Sequence, residues 1–238
     1  MFNIYLYSYL IADLALLVVW LFLFIRRKDV RHAMLFISLM FGIAGLFVQW
    51  VYIQDWWHPL TITNTLVGFE DFLFGWIMGG IAAVVYEEIA NKKLKREEKI
   101  EKVLKSHFLY SIIPTTLLGV LFFGSFFILK TSSFLASIIG LGIPIFYMWI
   151  KRKDMIVPSL LSAFLLALVG LIWFLVPAII TPGWVKHYWF MENLSGITFL
   201  SAPIEDLIWF FLTGAFIGPL WEYLQERKLI NLKKRKKK

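Results

Sequence analysis

The chain has 238 residues, is 60% hydrophobic and 18% aromatic, and carries a formal net charge of +8, with a mean hydropathy of +0.74. Soluble domains are about 45–50% apolar, so a soluble core is excluded, and the apolar residues come in runs long enough to cross about 30 Å of hydrocarbon. The absence of cysteine excludes disulfides, thiol nucleophiles, thiolate metal sites and covalent haem attachment.

Seven spans are predicted, at 4–25, 33–53, 66–88, 108–129, 134–150, 156–180 and 198–224. The first follows Met1-Phe2-Asn3 with neither a basic leader nor a small-residue cleavage site, so it reads as a span and not a removable signal. It carries Asp13, a candidate for a polar partner or a site, and stops at Arg26-Arg27-Lys28. The third begins near Glu70-Asp71 and ends at Glu87-Glu88, beside Lys and Arg, where interfacial ion pairs are expected. Gly140-Leu141-Gly142 lies inside the fifth span with no strand before it, so it is no dinucleotide fingerprint. The seventh carries Ser201 as a candidate cap, Pro203 in a first-turn position, then Glu205-Asp206, with Glu222 at its far end. His58 and His187 sit in loops beside tryptophan and make no thiolate-supported metal site, so no metal is expected.

The linkers alternate in charge. Segments 26–31, 91–107, 151–153 and 225–238 hold 22 of the 24 Lys and Arg residues, and the opposite side keeps only Lys130 and Lys186. Basic loops stay cytoplasmic, which sets the N-terminus outside, the C-terminus inside and the protein in the cell membrane. The basic tail Lys233-Lys234-Arg235-Lys236-Lys237-Lys238 then meets anionic headgroups; nucleic acid is not the expected partner. Trp56, Trp57, Trp184 and Trp189 fall in outer loops, where interfacial aromatics are expected.

An internal repeat runs through this layout. Glu70-Asp71 recurs as Glu205-Asp206 at an offset of 135, which also aligns Gly79 with Gly214, Tyr86 with Trp221 and Glu87 with Glu222. Ile25-Arg26-Arg27-Lys28-Asp29-Val30 recurs as Ile150-Lys151-Arg152-Lys153-Asp154-Met155 at an offset of 125. The expected fold is all-α, three helices, a linking helix and three helices, with parallel repeats about an axis along the membrane normal. The units are 1–90, a basic loop and linking helix at 91–133, a second repeat at 134–225, and a tail at 226–238. Gly79 and Gly214 suit close helix packing.

Carboxyl groups inside a span are costly and are functional candidates. Both pairs also sit in first turns, where negative charge complements the helix dipole, but a helix start needs no second acid and both copies keep two. Four-residue spacing puts Phe74 beside Glu70, Trp209 beside Glu205 and Phe210 beside Asp206. Aromatic faces stabilise a cation, and apolar walls favour the protonated form of a carboxylic acid.

The run Gly196-Ile197-Thr198-Phe199-Leu200-Ser201-Ala202-Pro203-Ile204-Glu205-Asp206-Leu207-Ile208-Trp209-Phe210 resembles the motif of the membrane-embedded lycopene cyclases: Pro, an aliphatic residue, Glu, Glu or Asp, two variable residues, then aromatics. Gly68-Phe69-Glu70-Asp71-Phe72-Leu73-Phe74 resembles the same element, with Gly68 and Gly75 where the family has Pro and an aromatic. The duplicated layout is similar to the fused form of that family. The resemblance implies a non-redox, acid-catalysed cyclisation of the lycopene end groups to β-type rings, an isomerase or intramolecular lyase reaction without a cofactor. It implies Glu205 as the acid, Asp206, Glu70 or Asp71 as base or electrostatic partner, and Trp209, Phe210, Phe74 and Pro203 against the polyene, which would enter from the bilayer. A small sugar-transporter-like protein of three, one and three helices is the first alternative, though the polar groups cluster near one surface. A non-covalent polyene- or retinoid-binding protein is the second; no lysine lies between Ile197 and Gln225 to hold retinal as a Schiff base.

Overall fold

The computed structural model describes residues 4–90, 92–95, 104–224 and 228–231. Its helices are α1 (Ser8–Arg26), α2 (Arg31–Tyr52), α3 (Phe69–Ile89), α4 (Leu104–Phe123), α5 (Ser133–Lys151), α6 (Ile156–Ile180), the short α7 (Trp184–Tyr188), α8 (Ile204–Ile217) and α9 (Leu220–Leu224). Among the described residues, six segments are long and apolar enough to cross a membrane: Tyr5–Arg26, Arg31–Tyr52, Phe69–Ile89, Ser133–Lys151, Lys153–Ile180 and Ile204–Leu224. The predicted span at 108–129 corresponds to α4 and the π-helical turn that follows it, Gly124–Ile128; among the residues whose side chains are described, its apolar stretch is Ile112–Ile128. Large apolar side chains such as Val18, Phe47, Phe146 and Phe164 point outward, as lipid-facing side chains do.

The seventh span starts later than 198. Thr198–Phe199 (β2) pairs antiparallel with Ala202–Pro203 (β3), and the turn between them puts Leu200 and Ser201 at φ 49° and 69°. Ser201 is therefore a turn residue and no helix cap. Pro203 is the residue before the first turn of α8, with an extended ψ of 142°. The basic segments also meet: Lys92–Lys95 (β1) pairs antiparallel with Lys228–Asn231 (β4). The tail beyond 231 lies outside the described residues.

Two helix pairs form the heart of the bundle, α2 on α3 and α6 on α8. Glycine makes both possible. A Cβ on Gly75 would stand 2.2 Å from the Phe41 carbonyl oxygen, and one on Gly214 would stand 2.5 Å from the Ser162 carbonyl oxygen. Neither backbone can yield without separating the helices. Gly79 likewise abuts Phe41, with a Cβ at 2.8 Å. Gly214→Ala is expected to destabilise the fold by about 1–3 kcal/mol, the usual cost of overpacking. A thermal scan in detergent would show this as a lowered midpoint, and an unchanged midpoint would contradict the packing described.

Corresponding polar contacts appear at positions related by the two sequence offsets. Arg27 grips Asp29 with two bonds of 3.0 Å, and Arg152 grips Asp154 at 2.9 and 2.8 Å. At this basic end Arg27 also reaches Glu87 at 3.2 Å, and Arg26 pairs with Glu88. Burial opposes the Arg27 charge, but Asp29, Glu87 and Glu88 outweigh it and hold the guanidinium above its ordinary value. Glu222, expected at the interface, is instead 3% exposed and lies against Glu87.

Candidate functional site

The opposite end of the bundle, where α3 and α8 begin, holds both acidic pairs. Within each pair the two carboxyl groups do different things. Glu70 Oε1 accepts the Ile62 N–H at 2.7 Å, and Glu205 Oε1 accepts the Ser195 N–H at 2.6 Å. Each glutamate thus pins the loop that precedes its helix. The next residue on a helix is turned by about 100°, and Asp71 and Asp206 face inward to line one cavity.

The cavity and the open space at its mouth together span about 1020 Å³. Phe74, Trp209 and Phe210 line it, with Tyr9, Trp57 and Trp173. The rings interlock: Phe74 stacks on Trp209 at 5.9 Å between centroids, and Trp173 meets Phe74 at 5.1 Å and Tyr9 at 5.9 Å. From Asp206 to Thr213, at the far end of the lining, is seven residues, about 10 Å of helix. The carboxyl groups therefore sit at one end of a mostly apolar slot.

The hydrogen bonds of the two aspartates differ in a chemically informative way. Asp71 accepts at each oxygen, the Gly68 N–H on Oδ2 at 2.7 Å and the Tyr9 hydroxyl on Oδ1 at 3.1 Å. Both oxygens thus act as acceptors, as those of an ionised carboxylate do, and the place of Asp71 in the first turn of α3 favours the same form. Asp206 accepts both of its indole N–H groups on Oδ2, from Trp189 at 2.9 Å and Trp56 at 3.3 Å. Oδ1 receives neither.

The structure therefore brings together Asp71, Asp206, Phe74, Trp209 and Phe210. It turns Glu70 and Glu205 to the loops, against the expectation that Glu205 faces the substrate. Pro203 is buried in β3, paired with Thr198, and is absent from the cavity lining. The Gly68 and Gly75 departures have local reasons. Gly68 has no room for a Cβ beside Thr61 Cγ2, at 2.7 Å, and Gly75 lets α2 approach. At the position equivalent to Gly75, the Phe210 ring lies over Gly170, where a Cβ would come within 2.3 Å of it.

Sequence reasoning missed the tryptophans. Trp56, Trp57, Trp184 and Trp189 are packed inside the protein, 1–7% exposed, and the loops carrying Trp57 and Trp189 are joined by an antiparallel bridge. Their clustering in two loops was the available signal. Asp13 is buried, accepts the Trp173 indole N–H at 2.9 Å, and so fixes a ring of the cavity wall. His187 stacks on Tyr5 at 4.6 Å, and His58 is exposed. The Tyr188 phenol, which donates to the Tyr5 carbonyl, is pushed above its ordinary value by burial.

Residues 131–224 match the family model described as lycopene cyclase. No curated protein and no solved structure matches the chain.

Proposed function

We propose, from the match of residues 131–224 to the lycopene cyclase family model, that this chain is a carotenoid cyclase that closes the end groups of lycopene into β-type rings without net redox change. The observation that carries the reading is the convergence of Asp71 and Asp206, one from each half of the chain, on a single aromatic slot.

Asp206 Oδ1 gives its proton to the terminal double bond of the polyene. The tertiary cation that forms is attacked by the next double bond, which closes a six-membered ring and moves the positive charge to the ring. Asp71 removes a proton, and the carbon that loses it decides the ring isomer. One proton is given and one is taken, so it must pass back from Asp71 to Asp206 before the next turnover. Phe74, Trp173 and Trp209 present ring faces that stabilise the passing cation. The apolar lining keeps out water, which would trap it. Glu205 and Glu70 position the loops that deliver Trp189 and cover the slot. The reaction needs no redox group, and the class expected is an isomerase or intramolecular lyase.

The reading extends to topology. Two three-helix repeats, 1–90 and 134–225, are joined by the basic loop and linking helix at 91–133, with the tail at 226–238. The acidic end faces outward and the basic end faces the cytoplasm, in a cell membrane. The matching Arg27–Asp29 and Arg152–Asp154 pairs, and the matching loop pins of Glu70 and Glu205, support the repeat.

Expression in a lycopene-accumulating bacterium should replace lycopene with cyclised carotenoid, read by pigment chromatography. Unchanged lycopene despite full-length protein in the membrane would overturn the reading.

A further inference from the structure

The two offsets make α1 and α5, α2 and α6, and α3 and α8 counterparts. Counterpart contacts should then be alike, but two are not: α6 packs on both α1 and α3, while its counterpart α2 packs comparably on neither α5 nor α8 among the described residues. α1 packs directly on α6, and the seam is tied by Trp173 to Asp13 at 2.9 Å and Ser8 to Thr181 at 2.8 Å. The related seam between α2 and α5 has no comparable backbone packing among the described residues. Near the acidic end α4 bridges the two helices, its Phe122 clustering with Val51 of α2 and Ala136 of α5, and Tyr52 reaches Ser137 at 3.0 Å. Further along, both helices line the cavity, and Leu118 of α4 lies at the same wall.

The Tyr52 contact has a defined direction. Trp209 Nε1 donates to the Tyr52 oxygen at 2.8 Å, and Ser137 spends its one proton on the Ser133 carbonyl at 2.8 Å. Tyr52 therefore donates to Ser137. This chain ties α8, α2 and α5 together at the outer lip of the cleft. Below it, Phe41, Ala44, Gly45 and Val48 of α2 line the cavity and keep part of their surface exposed.

We propose that the open α2/α5 seam, below the Tyr52–Ser137 contact and beside Leu118, is a sideways portal from the bilayer to the aspartates. It takes a linear, oxygen-free polyene end first. The occupant rests on the cyclase reading; the location of the portal rests on the broken symmetry. From Phe41 to Tyr52 the lining spans eleven residues, about 16 Å of helix, and a forty-carbon linear polyene is far longer. One end group occupies the slot while the rest of the molecule lies in the seam and in lipid. A hydrocarbon needs no polar route, and the closed α1/α6 seam leaves one portal for both ends, which react in turn.

The test uses the full chain in liposomes. Lycopene is added and its arrival is followed by quenching of tryptophan fluorescence, since Trp57, Trp173, Trp189 and Trp209 line the cavity. Ala44→Phe and Leu118→Phe narrow the mouth, and Val18→Phe, on the lipid-facing side of α1, is the control. Both mouth variants are expected to slow lycopene association by about tenfold or more, with thermal midpoints near the wild type and no change in the control. Unchanged association in two folded mouth variants overturns the portal. Wild-type binding without cyclisation overturns the cyclase reading and leaves the portal standing. Failure of the wild type to bind lycopene overturns both.

Discussion

Asp206→Asn is expected to lower the rate of lycopene cyclisation by about 10²–10⁴-fold, the usual contribution of a positioned general acid. The substitution isolates the proton. An asparagine carbonyl can still accept the Trp56 and Trp189 indole N–H groups that meet on Oδ2, so the loops stay docked and the cavity keeps its shape. What disappears is the transferable hydrogen on the other atom. Glu205→Gln is the matched comparison. Its amide oxygen can still accept the Ser195 N–H, and most of the activity should remain. Both variants are read in the lycopene-accumulating host and again as purified protein, with the thermal midpoint as the check on folding. An active Asp206→Asn enzyme, or a Glu205→Gln enzyme as inactive with its midpoint unchanged, removes Asp206 from the role of acid.

For Asp71→Asn, a fall of about 10²-fold is expected, accompanied by a change in which rings are made. If Asp71 takes the final proton, its loss leaves the ring cation to weaker bases at other positions. Double-bond isomers of the ring should then appear beside the main product. A purely structural role would lower yield without moving that ratio. The amide does carry a structural cost, because its NH₂ must face either the Gly68 N–H or the Tyr9 hydroxyl, and an unmet buried donor costs about 1–3 kcal/mol. Tyr9→Phe serves as the control: it removes one donor, keeps the carboxylate, and should preserve the product ratio. Identical ratios in all three proteins would end the assignment of Asp71 as base.

Much of this site was legible in the sequence, and the rest was hidden for identifiable reasons. The span lengths, the duplicated acids and the aromatics four residues on follow from hydropathy and helical spacing. Which member of each acidic pair meets the slot does not. Glu70 and Asp71 are neighbours, and the choice between them depends on where the preceding loop offers a free N–H, at Ile62 and again at Ser195. The late start of α8 was hidden by the Leu200-Ser201 turn, which places two non-glycine residues at positive φ and so lacks the glycine signal that marks such turns. Trp56 and Trp189 looked interfacial because loop tryptophans in membrane proteins usually are. Only the fold shows their indole N–H groups meeting on a single carboxyl oxygen.

The division of the two aspartates between the halves has a further meaning. The α3 half supplies Asp71 and the α8 half supplies Asp206, and even Asp206 draws one of its two donors, Trp56, from the first half. On the mechanism proposed, a half alone holds no complete reaction centre. Chemistry becomes a property of their encounter, and the covalent stretch between them replaces a concentration-dependent meeting with an intramolecular one. On that reading the linking segment sets how often the proposed catalyst is assembled, while the aspartates set how fast it works.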